Sequence, residues 1–123
     1  MLQSFLLVGF GGMTGAMLRY ACYLACARFS TTALATIFVN ILGSFLIGLI
    51  IGLHETKFPL TEAWKLLACV GVLGGFTTFS AFSLDMLYFL REGRVALAAL
   101  YAGVMLMLGL LAVYFGFRSA ALF

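Results

Sequence analysis

Gly74-Gly75-Phe76-Thr77-Thr78-Phe79-Ser80-Ala81-Phe82-Ser83 sits in the middle of an apolar segment that runs from about Trp64 to about Phe89. A helix of that length crosses a bilayer, because it rises about 1.5 Å per residue against a hydrocarbon core of about 30 Å. The Gly pair and the Thr pair therefore fall near the membrane midplane. Gly is a poor helix residue and Thr loses side-chain freedom in a helix, so the sequence predicts a break here. Unwound backbone at that depth leaves carbonyls unpaired, which hydrocarbon does not tolerate. Such breaks survive where the backbone lines a cavity or coordinates an ion. The function is expected at this break.

The composition around that segment requires a membrane. Of 123 residues, 65% are hydrophobic and only 9% charged, and the mean hydropathy is +1.20. A soluble domain of this size has too little interior to hide that much apolar surface. The expected fold class is all-α integral membrane, a single four-helix transmembrane domain over residues 1–123. Its spans lie at about 2–27, 33–53, 64–89 and 95–117, with the break in the third. No basic residue precedes the first apolar run, so no cleavable signal peptide is expected. The three cysteines, Cys22, Cys26 and Cys69, all lie in apolar stretches. An odd number in such surroundings argues against a disulfide framework. Cys22 and Cys26 share a helix face, but the one histidine, His54, sits in a loop, so they read as packing thiols rather than a metal pair. The net charge of +3 comes from loop and interface residues and makes no nucleic-acid patch.

The first span carries Gly11 and Gly15, and Gly12 and Ala16, at small-xxx-small spacing. Small residues so placed let helix backbones approach closely in lipid, where packing replaces the hydrophobic drive. Arg19 lies inside this apolar run, and a charge there either reaches the interface or lines a water-filled vestibule. In the second span Thr36, Asn40 and Ser44 fall on one helical face, followed by Gly48 and Gly52. The Asn40 amide needs partners in lipid. Either it makes an interhelical hydrogen bond, or it donates to a permeating ion. Residues 54–62, with the only proline, form a solvated connector. There Thr61 caps the next helix and Trp64 anchors it at the interface. Asp85 is expected near an interface, and Arg91-Glu92-Gly93-Arg94 makes a tight turn.

The charges do not choose an orientation. Lys57, Lys65 and Arg118 lie on one side of a four-span chain, and Arg28, Arg91 and Arg94 on the other, joined by Arg19 if it is counted. Positive-inside orientation needs an imbalance. A chain without one can insert both ways. Two opposite copies can then pair about a two-fold axis in the membrane plane, as inverted repeats do in transporters.

The spans contain no catalytic constellation, and no enzyme activity is expected. They offer neutral donors, namely Thr36, Asn40, Thr77, Thr78, Ser80 and Ser83, together with aromatic rings. Phe79 and Phe82 lie three residues apart, on one side of the helix after the break. A ring edge carries partial positive charge and can face an anion without trapping it, as conduction requires. The unwound carbonyls have the opposite polarity. Two breaks meeting at an axis could hold one cation.

Three motifs, in order, resemble those of the Fluc (CrcB-type) fluoride channel family. They are Gly11-Gly12-Met13-Thr14-Gly15-Ala16-Met17-Leu18-Arg19-Tyr20, the stretch Thr36-Ile37-Phe38-Val39-Asn40-Ile41-Leu42-Gly43-Ser44-Phe45-Leu46-Ile47-Gly48, and Gly71-Val72-Leu73 leading into the segment quoted above. The resemblance covers nearly the whole chain, and the third motif is the most specific. It implies a multi-pass protein of the bacterial cell (inner/plasma) membrane, assembled as an antiparallel dual-topology homodimer with two fluoride pores. It implies that Phe79 and Phe82 supply ring edges to each pore and that Asn40 donates to fluoride. Thr36, Thr78, Ser80 and Ser83 are implied as the polar track, with Arg19 near a vestibule. A structural sodium ion on the dimer axis, held by the backbone carbonyls of Gly74 and Thr77 from both chains, is also implied, and no organic cofactor. The implied role is passive fluoride export that relieves fluoride toxicity. Ala81 stands where the family often has Thr, Asp85 where it often has Glu, and Met105 and Gly109 where it commonly has Ser. A small dual-topology multidrug-type proton-coupled exporter shares the length, span count and charge balance. It depends on a membrane-embedded Glu in its first span, and the first span here has no acid.

Overall fold

Long apolar runs without internal proline become helices. The computed structural model describes residues 1–27 and 31–123. Arg28 and Ser30, expected in the first loop, lie outside the described residues. Helix α1 spans Leu2–Ala27 and α2 spans Thr32–Thr56. Helix α3 covers residues 62–76, α4 spans Phe79–Arg91, and α5 spans Val95–Ser119 before a closing 3-10 turn at Ala120–Leu122. Counting α3 and α4 as one span, four helical segments are long and apolar enough to cross a membrane. The described residues contain no strand.

The second helix runs farther than expected. His54, Glu55 and Thr56 belong to α2, not to a loop. The Thr56 hydroxyl donates to the Gly52 carbonyl (2.7 Å), and the N–H groups of Lys57 and Phe58 both reach the Leu53 carbonyl. The connector that follows is tied back through the Leu60 N–H, which donates to His54 Nδ1 at 2.8 Å. Thr61 then caps α3, its hydroxyl accepting from the Trp64 N–H. Between α4 and α5 the chain reverses at Gly93, whose φ of +71° suits a residue without Cβ.

Packing is inside-out relative to a soluble protein. The largest fully buried side chains are only Val39 and Thr36, while Phe5, Phe10, Leu106 and many other large apolar groups face outward. A lipid surrounding accounts for this, because lipid exerts no hydrophobic drive between helices and close packing must hold them. Two glycine seams provide it. In the first, α1 lies along α3: a Cβ added at Gly11 would come within 2.8 Å of Gly71 Cα, and one at Gly15 within 2.8 Å of the Phe76 nitrogen. In the second, α2 lies along α5: a Cβ at Gly48 would sit 3.0 Å from the Phe117 nitrogen, and one at Gly116 3.0 Å from that of Leu49.

The third span is interrupted, but one step later than the glycines suggest. Gly74, Gly75 and Phe76 remain helical. Thr77 (φ −81°, ψ 157°) and Thr78 (φ −152°, ψ 114°) are extended, and α4 starts at Phe79. Gly75 owes its presence to packing, since a Cβ there would lie 3.0 Å from Gly12 Cα. Upstream, Lys65–Leu73 is wound as a π-helix, a wider winding often found near functional sites.

Candidate functional site

An extended pair of residues inside a helical span must find new partners for its backbone. Asn40 of α2 supplies them. Its Oδ1 accepts from the Thr78 N–H at 2.7 Å, and its Nδ2 donates to the Thr78 carbonyl at 3.0 Å. One side chain therefore satisfies both backbone groups of the residue that breaks the helix. Of the two readings of Asn40, the interhelical hydrogen bond is the one observed. The amide keeps a second Nδ2 proton, and its neighbour is the Met105 sulfur at 3.7 Å.

The same bonds alter the neighbouring carbonyls. In a continuous helix the Thr78 N–H would bond the Gly74 carbonyl, but here it is turned to Asn40. The Ala81 N–H, which would have served Thr77, bonds the Thr78 hydroxyl instead at 3.2 Å. Thr78 thus caps α4, and its hydroxyl also pairs with that of Ser80 at 3.1 Å. The N-terminus of α4, with its partial positive charge, begins at the break.

Beside the break lies a groove of about 700 Å³ between α2, the α3–α4 junction and α5. Asn40, Gly74, Thr77, Thr78, Phe79 and Phe82 all line it. Phe79 is 78% exposed, and its ring centroid is 5.5 Å from that of Phe82. Phe82 stacks on Tyr101 of α5 at 5.4 Å, which leaves its edge outside that contact. Across the groove stand Ser44 of α2 and Met105 and Gly109 of α5. A Cβ added at Gly109 would meet the Ser44 Oγ at 3.9 Å, an ordinary contact.

Behind the groove is a buried polar cluster. Asp85 is only 8% exposed, buried among the helices. Its Oδ2 accepts from the Thr36 hydroxyl and from the Tyr101 hydroxyl, each at 2.8 Å. Tyr23 of α1 closes the chain of bonds, its hydroxyl 2.7 Å from the Thr36 Oγ1. Burying a carboxylate is costly unless it is hydrogen-bonded, and two hydroxyls from two helices meet that need. The cluster joins α1, α2, α4 and α5, and through Tyr101 it backs the Phe82 ring.

The other residues singled out in the sequence fall elsewhere. Thr36 is fully buried in the cluster and does not line the groove. Ser80 and Ser83 are exposed on α4 outside the groove, and the Ser83 hydroxyl donates to the Phe79 carbonyl at 3.0 Å. Arg19 is half-buried on α1, and no ion pair to it is formed among the described residues. Ser44 had a sequence signal, a polar helix face, whereas Tyr101 is one of two tyrosines in its span, with Tyr114. Tyr23 had none, because a tyrosine near a helix end is ordinary in a membrane protein. None of the three cysteines is in a disulfide.

Comparison with known proteins agrees with this architecture. Residues 6–117 match the family model described as CrcB-like protein, Camphor Resistance (CrcB). A protein of Granulibacter bethesdensis named fluoride-specific ion channel FluC is 44% identical over 103 residues, covering 82% of this chain and 81% of that one. One of the same name from Hyphomonas neptunium is 43% identical over 122 residues, covering 97% and 96%. Another, from Thermus thermophilus, is 43% identical over 118 residues, covering 94% and 92%.

Proposed function

The chain belongs to the CrcB-like family, and from that premise we propose that it is a fluoride-selective channel. It lets cytoplasmic fluoride leave passively and so relieves fluoride toxicity. It is a multi-pass membrane protein, and transport rather than chemistry is its work. The observation that carries this reading is the groove in which Asn40, Thr78 and the Phe79–Phe82 pair meet at the interrupted span.

A small, strongly hydrated anion enters such a site only where donors replace its water, and it leaves only where no fixed charge traps it. The donors on offer are neutral: an amide N–H of Asn40, the N-terminus of α4, and the ring edges of Phe79 and Phe82. Thr36 acts on the path through the cluster that backs Phe82. Ser80 and Ser83 stay available to line the path where a second copy closes the groove. Arg19 draws anions to a vestibule.

We assign the second copy an antiparallel, dual-topology arrangement. The balanced charges support it, and so does a groove that one chain leaves open to about 700 Å³ at its most polar point. The Gly74 and Thr77 carbonyls, deprived of their helical donors, suit a hard cation such as sodium, which binds carbonyl oxygens and leaves thioethers and rings alone. Such an ion, when bound, would supply a partner for the two carbonyls that lack a helical donor. What this chain contributes is two carbonyls whose helical donors are taken by Asn40 and by the Thr78 hydroxyl. The cost of the break at the membrane midplane is then offset by the ion and the clamp together.

The reading is tested in a bacterial host that lacks its own fluoride exporter. Expression of the wild-type chain should restore growth in millimolar fluoride, and Phe82→Ile at equal membrane abundance should not. Equal growth of the two strains in fluoride would sink the assignment of the ring pair. Absence of rescue by the wild type would sink the channel.

A further inference from the structure

The Asn40 amide has two Nδ2 protons, and the Thr78 carbonyl takes one. The second is the donor left to the groove, and the Met105 thioether sits 3.7 Å from the nitrogen. Met105 is one turn beyond Tyr101 on α5 and lines the same groove as Phe82. A thioether is a weak acceptor on a long, freely rotating side chain. It can cover an N–H without satisfying it as an oxygen would. Among the described residues no other side chain is within hydrogen-bond reach of that proton.

We propose that Met105 is a throughput-determining residue of the fluoride pathway, a mobile cover over the free N–H of Asn40 that must swing aside before fluoride binds there. This rests on the channel reading above. Fluoride is hard and strongly hydrated, so each donor withheld leaves part of its hydration unreplaced. The sulfur lone pairs and methyl group offer it nothing in exchange. Gly109, one turn further along α5, lines the same groove. The cover acts on one donor only, so it sets rate and leaves selectivity to Phe79 and Phe82.

The test is fluoride and chloride efflux from liposomes reconstituted with the full chain, with folded protein measured by size-exclusion chromatography. Met105→Ala uncovers Asn40 without adding a donor, and fluoride efflux should rise about fivefold, the factor that one ordinary hydrogen bond is worth. Met105→Ser adds a hydroxyl and should be at least as fast. Met105→Leu keeps the bulk and should stay within about twofold of wild type, since such swaps preserve packing. Chloride efflux should remain negligible in all of them. Met105→Val, which removes only the outer part of the side chain, makes the same test if Ala or Ser does not fold. A wild type that conducts fluoride while these truncations leave the rate unchanged would overturn the cover alone. So would a rise in chloride parallel to fluoride, the mark of a loosened groove. No fluoride efflux from wild type or any variant would overturn the channel reading, and this one with it.

Discussion

The third span is built in two halves that hold on to the protein by opposite means. Residues 62–76 dock on α1 through backbone meeting backbone, with Gly11, Gly15 and Gly75 keeping Cβ atoms out of the way. Phe79–Arg91 docks on α2 and α5 through side chains: the Asp85 carboxylate, the hydroxyls of Thr36 and Tyr101, and the Phe82–Tyr101 stack. The first half meets α1 backbone on backbone and has no side chain there to give way. The second is polar and held at a few points. The groove lies where the two meet, and Asn40 holds the junction. A site for a small ion needs both, a rigid wall to fix the position and a polar wall to offer donors.

The contrast predicts different failures on the two sides. Gly15→Val should do the most damage, more than about 3 kcal/mol, because the atoms a new side chain meets are backbone and have no rotamer to change. Recovery of monodisperse protein after detergent extraction would show it; wild-type recovery would mean that the seam is not rigid. Asn40→Ala strands the N–H and the carbonyl of Thr78 together and should cost about 3 kcal/mol, read as a drop in thermal unfolding temperature. An unchanged transition would remove Asn40 as the clamp. Asp85→Ala leaves two buried hydroxyls without their acceptor, for about 2 kcal/mol by the same assay. Tyr23→Phe removes one hydrogen bond at the edge of the cluster, for about 1 kcal/mol. A Tyr23→Phe effect as large as that of Asp85→Ala would place the centre of the cluster at Thr36, not at Asp85.

Much of this was legible in the sequence, and the residues show where legibility ends. Hydropathy locates four spans because each is a property of its own residues. The Phe79–Phe82 pair follows from spacing alone and forms as expected, with centroids 5.5 Å apart. The sequence predicts an interruption across the Gly74–Gly75 and Thr77–Thr78 pairs, and only the threonines leave the helix. Propensity sees a glycine as flexible, but Gly75 is fixed by its contact with Gly12, a fact about another helix. The buried bonds of Asp85 are not legible in the sequence, because its partners, Thr36 and Tyr101, are 49 and 16 residues away. The Thr36 hydroxyl was read as part of an open polar face for the same reason. A polar residue in a span announces that it needs a partner; only the packing says which one it has.

If the junction, with neutral donors and ring edges, passes fluoride and refuses the larger halide, the efflux of fluoride and chloride will show it, recorded side by side with ion-selective electrodes from liposomes bearing the wild-type protein. Rapid loss of fluoride is expected, with chloride at the level of protein-free liposomes. Chloride that keeps pace with fluoride, or fluoride that stays inside although the protein is folded and inserted, would contradict the channel reading.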